Sequence, residues 1–297
     1  MNKTIFKGTC TAAVTPFTED GIDYAALENQ IEYQIKNGID ALCILGTTGE
    51  APTITEEEYD RIAKFSYDKI AGRVKFILGS GSNCTKNAVE KSKFAEKVGA
   101  DGLLVVTPYY NKCTQKGLVK YYNEICDSVN IPVLCYNVPA RTGVNILPQT
   151  MAEIAEHKNI GGIKEACGNM EQICETARLI RGKTALYSGD DNLNLAMMSI
   201  GSMGLISVVS NVAPREVGDV ARYYFSGRNE QATALQERLL PLVDEMFTEV
   251  NPIPVKKAIE LIGLGKGIVR APLTELEPQH TETLKAALKN FGFSIKE

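Results

Sequence analysis

Short runs of apolar and β-branched residues recur at 8–14, 40–45, 74–79, 102–107, 132–137, 161–165, 184–188 and 204–209, and each reads as a strand. The stretches between them, such as Ala25 to Lys36, Glu56 to Lys69, Ala88 to Val98 and Gly117 to Ser128, follow the helical period and are long enough to cross back over a sheet. Leu103-Leu-Val-Val106 is apolar without interruption, which implies burial on both faces, as in a parallel sheet covered by helices. Eight alternating units predict an α/β protein, a closed (β/α)8 TIM barrel. The competing architecture is a doubly wound open sheet. It requires a glycine-rich phosphate turn after the first strand, and Thr9-Cys-Thr-Ala-Ala-Val-Thr-Pro16 supplies none.

After about residue 224 the strand signal stops, and 230–250, 254–264 and 277–291 read as helices. The expected organisation is therefore a catalytic barrel over 1–224 and a helical C-terminal domain over 225–297. Thr55 before Glu56-Glu-Glu58 places a capping hydroxyl and three carboxylates at the positive end of a helix, so this acidic run reads as structural. Gly263-Leu-Gly-Lys-Gly267 follows a helix rather than a strand and is too short for a P-loop; it reads as a helix-ending glycine cluster.

Composition narrows the function classes. With 44% hydrophobic residues in 297, the chain can bury a large core. Its 32 basic and 36 acidic residues give a net charge of −4 without like-charge runs, which excludes the electrostatic footprint of a nucleic-acid binder. No apolar run reaches signal-peptide or membrane-span length, so no membrane association is expected and a cytoplasmic protein is. The eight cysteines form no Cys-x-x-Cys pair, and Cys10, Cys43 and Cys135 lie in apolar runs, as buried free thiols do. His157 and His280 stand apart from any ligand cluster, so no metal is expected.

In such a barrel the chemistry gathers at the C-terminal ends of the strands. There the chain places Gly46-Thr-Thr-Gly-Glu50, Thr107-Pro-Tyr-Tyr110, Tyr136-Asn137, Lys164-Glu165 and Ser188-Gly-Asp-Asp191. Lys164 sits among small and apolar neighbours. Desolvation favours the neutral amine, which can condense with a carbonyl compound, although a salt bridge or a snorkelling lysine would fit the same pattern. Tyr136, on the neighbouring strand, suits the acid/base work that imine formation needs; a core tyrosine with any convenient acceptor is the alternative. Gly46-Thr-Thr-Gly49 offers hydroxyls and backbone N–H groups for a carboxylate, or is simply a tight turn. Arg141 is able to grip a second carboxylate in a two-pronged contact, or is a surface arginine.

Together these segments resemble the pyruvate-dependent class I aldolase superfamily of N-acetylneuraminate lyases and dihydrodipicolinate synthases, over essentially the whole chain. The most specific pieces are Gly46-Thr-Thr-Gly-Glu50, Tyr136-Asn-Val-Pro-Ala-Arg-Thr-Gly143, Gly162-Ile-Lys-Glu-Ala166 and Ser188-Gly-Asp-Asp191. Thr47-Thr48, Arg141, Thr107-Pro-Tyr-Tyr-Asn111 and Asn251-Pro-Ile-Pro-Val-Lys256 favour the synthase branch over the sialic acid lyases. The resemblance implies condensation of pyruvate with L-aspartate 4-semialdehyde, without metal or dissociable cofactor, as the first committed step of the diaminopimelate/lysine pathway. It also implies roles: Lys164 forms the imine, Tyr136 is the acid/base, and Thr47 links it to a Tyr110 donated by a neighbouring subunit. Thr48 would bind the pyruvate carboxylate, Arg141 that of the semialdehyde, and the Gly189 and Ile206 backbone would line the pocket. A homotetramer of two tight dimers is the implied assembly.

The chain departs from the family's lysine-inhibited members at three positions. Glu56 and Tyr59 stand where those have histidine, and Asn87 where they have glutamate, although Asn83 and Tyr109 fit. Losing a buried carboxylate partner for the effector's ammonium costs on the order of 1–3 kcal/mol. Weak or absent lysine feedback is therefore expected. Two rival readings remain open at this point: the same imine chemistry with another aldehyde acceptor, such as N-acetylmannosamine, and a catalytically silent barrel that binds a small carboxylate.

Overall fold

The structure, a computed structural model, describes residues 4–296. The described residues form ten strands: Gly8–Ala12 (β1), Phe17–Thr18 (β2), Gly21–Ile22 (β3), Ala41–Ile44 (β4), Lys75–Gly79 (β5), Gly102–Val106 (β6), Val133–Asn137 (β7), Ile160–Glu165 (β8), Ala185–Ser188 (β9) and Gly204–Ser207 (β10). Eight of them form a closed barrel in the order β1-β10-β9-β8-β7-β6-β5-β4, as the strand–helix alternation predicts. Each lies within two residues of its expected ends. The antiparallel β2–β3 hairpin was not expected, because two-residue strands leave no period to detect.

The chain divides into two compact units, one formed by the described residues through Lys7 with Lys75–Ile206, the other by Gly8–Val74 with the described residues from Ser207 onward. In the first, the register pairs Leu103 with Val133, Val105 with Cys135 and Cys135 with Ile163, all fully buried. Burying each of these leucine, valine and isoleucine side chains stabilises the fold by about 1.5–3 kcal/mol. The N-terminal segment joins this core: Phe6 stacks on Tyr187 with ring centroids 4.4 Å apart, and the Tyr187 hydroxyl donates to the Phe6 carbonyl at 2.7 Å.

The second unit packs β1 against β4, with Cys10, Leu42, Cys43 and Ile44 buried. Its C-terminal part is helical, Asn229–Glu245, Ile253–Leu261 and Pro278–Phe291. The first of these stops five residues before the expected Val250. Hydrophobic period alone does not mark that end, since Phe247 and Val250 continue the apolar pattern yet are exposed. Helix Ile253–Leu261 gives way to Gly263 at φ 81°, the left-handed conformation expected of a helix-ending glycine.

Helix Glu56–Ile70 begins as the acidic run predicts, and more tightly. Glu58 N–H donates to the Thr55 hydroxyl at 3.2 Å while Thr55 N–H donates to the Glu58 carboxylate at 3.0 Å, a reciprocal capping box. Helix Thr85–Val98 starts three residues before the expected Ala88, because its cap, Cys84, carries no capping side chain to announce it. All eight cysteines are free, and Cys10, Cys43 and Cys135 are buried. No helix among the described residues is long and apolar enough to cross a membrane.

Candidate active site

In the first unit, the parallel register sets Tyr136 on β7 directly beside Lys164 on β8, so both side chains leave the sheet on the same face. The Lys164 ammonium lies over the Tyr136 ring, 4.3 Å from its centroid. Both residues are buried, Lys164 with 5% and Tyr136 with 6% of its surface exposed. Among the described residues no carboxylate comes within 4.0 Å of the ammonium, which disposes of the salt-bridge reading of this lysine. Nearby charge comes from Asp190, whose carboxyl is pushed up to about 6 by burial and held back by the positive charge of Lys164.

Gly189, at the end of β9, touches the same lysine. A β-carbon there would stand 2.7 Å from Ala166 Cβ and 3.0 Å from Lys164 Cε, so only glycine lets the lysine stem lie where it does. Its N–H donates to the Glu165 carbonyl at 2.7 Å, which ties the ends of β8 and β9 together. Ile206 is fully buried on β10.

One residue further along each strand, the opposite face carries a polar frame that sequence reasoning missed. Asn137 Nδ2 donates to both oxygens of Glu165, at 2.9 and 3.1 Å, and to Asn145 Oδ1 at 2.9 Å, while Asn137 Oδ1 accepts from Ile146 N–H at 2.9 Å. Glu165 also accepts from Cys167 N–H at 3.0 Å, and Asn145 exchanges hydrogen bonds with Gln172. The signal was present as two adjacent pairs, Tyr136-Asn137 and Lys164-Glu165, in which strand alternation puts the chemistry on one face and a cross-strand amide–carboxylate pair on the other. Burial raises the Glu165 carboxyl to about 7 against the pull of these donors.

Arg141, in a short helical turn, and Tyr110, on a loop, belong to this unit and are exposed. Arg141 belongs to the single turn Pro139–Thr142, held by Thr107 Oγ1 donating to Thr142 Oγ1 at 3.0 Å. Tyr110 is 91% exposed and takes a φ of 69°, a left-handed conformation that is strained for an aromatic residue.

In the second unit, Thr47 and Thr48 sit in the turn after β4, closed by Gly49 N–H to Gly46 O at 3.1 Å and Glu50 N–H to Thr47 O at 3.0 Å. Thr48 is buried and its hydroxyl accepts from Asn251 Nδ2 at 3.0 Å; Thr47 is half-buried. Among the described residues no group of three His, Cys, Asp or Glu side chains is placed to hold a metal ion.

The model of the dihydrodipicolinate synthetase family matches residues 5–291. The chain belongs to that family. It is 46% identical over 294 residues to the 4-hydroxy-tetrahydrodipicolinate synthase of Thermoanaerobacter sp. (strain X514), which covers 99% of each chain. Among solved structures it resembles the dihydrodipicolinate synthase of Aquifex aeolicus, with a TM-score of 0.96 and 42% identity over 98% of this chain and 100% of the other. It also resembles the chloride-inhibited synthase of Acinetobacter baumannii complexed with pyruvate, with a TM-score of 0.95 and 40% identity over 97% and 99% of the two chains. Within this synthetase family, Lys164, Tyr136 and the Gly189 backbone of the present chain form one contact group in its first unit, and Thr47 and Thr48 form the turn of its second.

The Glu165 shift has a measurable consequence. A carboxyl at about 7 in the folded protein keeps a proton that the unfolded chain has already released, so its stabilising contribution is full below about 4.5 and is lost as pH rises through 7. Glu165→Gln, which mimics the neutral acid, should remove a pH-dependent loss on the order of 3 kcal/mol. Thermal melts of the two proteins between pH 4.5 and 8 should diverge as pH rises, the variant gaining on the parent; parallel curves would show that Glu165 is ionised throughout.

Proposed function

We propose that this enzyme is a lyase that condenses pyruvate with L-aspartate 4-semialdehyde to 4-hydroxy-2,3,4,5-tetrahydrodipicolinate through a Schiff base at Lys164. The observation that carries this reading is a buried lysine with the face of Tyr136 beside it and no carboxylate partner among the described residues. An amine kept from water and from ion pairing is available as a nucleophile. The Lys164 amine adds to the pyruvate ketone, and loss of water from the carbinolamine gives the imine. Tyr136 supplies and recovers the protons of these steps. Loss of a methyl proton yields an enamine, whose carbon attacks the semialdehyde aldehyde. The amino group of the adduct then adds to the imine carbon, closing the ring and releasing Lys164 as the free amine.

The remaining assignments follow the same reading. Thr48 binds the pyruvate carboxylate, Arg141 that of the semialdehyde, and the Gly189 and Ile206 backbone lines the pocket. Thr47 links Tyr136 to a Tyr110 donated by a second copy of the chain. The near-complete exposure of Tyr110, held there by a strained backbone, supports donation to a partner, because the strain gains nothing within its own chain. The active form is then a homotetramer built from tight dimers. Eight free thiols suit a reducing cytoplasm, and the reaction is the first committed step toward diaminopimelate and lysine.

A coupled assay with dipicolinate reductase and NADPH tests the acceptor. Product should form from pyruvate and aspartate semialdehyde and not from N-acetylmannosamine. Arg141→Ala should raise the KM for the semialdehyde by about 10- to 100-fold with imine formation retained, the effect of losing a charged hydrogen bond. An unchanged KM would remove Arg141 from acceptor binding, and turnover of the amino sugar alone would move the chain to the lyase branch.

Regulation by lysine should be weak or absent. Glu56 is exposed, Asn87 replaces a carboxylate, and Tyr59 is buried, which pushes its hydroxyl far above the usual tyrosine range. Calorimetric titration with lysine should show no binding in the micromolar range; a micromolar Kd would contradict this.

A further inference from the structure

The second unit holds a buried polar cluster that the reaction steps above do not use. Glu50 closes the turn that carries Thr47 and Thr48, at a left-handed φ of 54°. Its carboxylate accepts from Lys256 Nζ at 2.5 Å and from Arg270 N–H at 2.9 Å. The Glu50 and Lys256 side chains are each 1% exposed, and Lys256 and Arg270 both lie over the ring of Phe17, at 3.8 and 4.3 Å from its centroid. Arg270 is in turn paired with Glu58, so two cations meet two carboxylates and the cluster is neutral. This arrangement anchors the turn from behind, while Thr15 Oγ1 donates to the Gly49 carbonyl at 2.7 Å from the other side.

Asn251, five residues before Lys256 and itself 6% exposed, reaches the hydroxyl of Thr48. Its Nδ2 donates to Thr48 Oγ1 at 3.0 Å. A threonine hydroxyl has one proton to give and two lone pairs to receive with. By occupying a lone pair, the amide leaves the Thr48 proton free to be donated, which is the polarity an incoming carboxylate requires.

We propose that Asn251 is a positioning residue that sets the donor direction of the Thr48 hydroxyl, and so the affinity of the imine-forming step for the carboxylate of a 2-oxo acid. The Glu50–Lys256 pair holds the turn against which Asn251 works. The proposal rests on the reading of Thr48 as the carboxylate ligand, and the test separates the two.

Asn251→Asp reverses the polarity with almost no change in shape. A carboxylate at 251 takes the Thr48 proton as acceptor and adds a negative charge beside the one to be bound. Asn251→Ala merely removes the partner, and Thr48→Val removes the hydroxyl itself. Each protein is titrated with pyruvate, the imine is trapped with borohydride and read by intact mass, and the KM for the semialdehyde and the melting temperature are measured alongside. Asn251→Ala should raise the half-saturating pyruvate concentration about fivefold and Asn251→Asp by about 30-fold or more, in keeping with hydrogen bonds to charged groups. The semialdehyde KM should stay within about twofold of the parent, since only the first substrate's carboxylate is affected.

A merely structural role would shift both substrates together and follow the melting temperature, and that result would overturn the proposal. If Thr48→Val weakens pyruvate binding while Asn251→Asp does not, Asn251 has no positioning role and the reading of Thr48 stands. If Thr48→Val has no effect, the reading of Thr48 falls and this inference with it. Should Asn251→Asp melt too low to titrate, Asn251→Ala carries the test through the same split between the two substrates.

Discussion

The proposed site depends on a buried lysine that, among the described residues, no carboxylate approaches closely enough to form a salt bridge. A fully desolvated ammonium costs several kcal/mol unless it is paired. Among the described residues two lysines are buried, and they answer this cost differently. Lys256 is paired with Glu50 at 2.5 Å and lies over Phe17, and it is structural. Lys164 is given the face of Tyr136 and the more distant field of Asp190. In the proposed mechanism an amine not held in a salt bridge is the one available to add to a ketone.

An underpaired lysine stays in place only if its surroundings are rigid. The two faces of β7 and β8 divide this labour. Tyr136 and Lys164 stand on one face, and Asn137 and Glu165 lock the strand ends together on the other through hydrogen bonds of 2.9 and 3.1 Å. Gly189 keeps the neighbouring strand end close without filling the space the lysine needs. In the second unit the same principle recurs, where a neutral cluster of Glu50, Lys256, Arg270 and Glu58 holds the turn bearing Thr47 and Thr48. The proposed site residues of β7, β8 and the Thr47-Thr48 turn are thus backed by polar contacts that the proposed reaction does not use.

The barrel was legible because buried parallel strands are continuous apolar runs, which no other element of this chain imitates at the same spacing. The proposed site residues were legible as candidates because they fall at or just after strand ends, where a barrel collects its chemistry. What escaped notice shares one physical character. The Asn137–Glu165 bridge pairs residues 28 positions apart, and the Glu50–Lys256 and Thr48–Asn251 contacts span 206 and 203. Local period and local motif carry no information about such partners. The end of helix Asn229–Glu245 was misplaced for a related reason, since the apolar pattern runs on through residues that the structure leaves exposed.

The most direct test of the central claim is to reduce the enzyme with borohydride in the presence of pyruvate and map the modified peptide. One reduced pyruvate per chain on Lys164, absent in Lys164→Met and in reactions without borohydride, is the expected result. Modification of Lys256 or of surface lysines with Lys164 untouched, or no modification at all, would show that the unpaired buried amine is not the nucleophile.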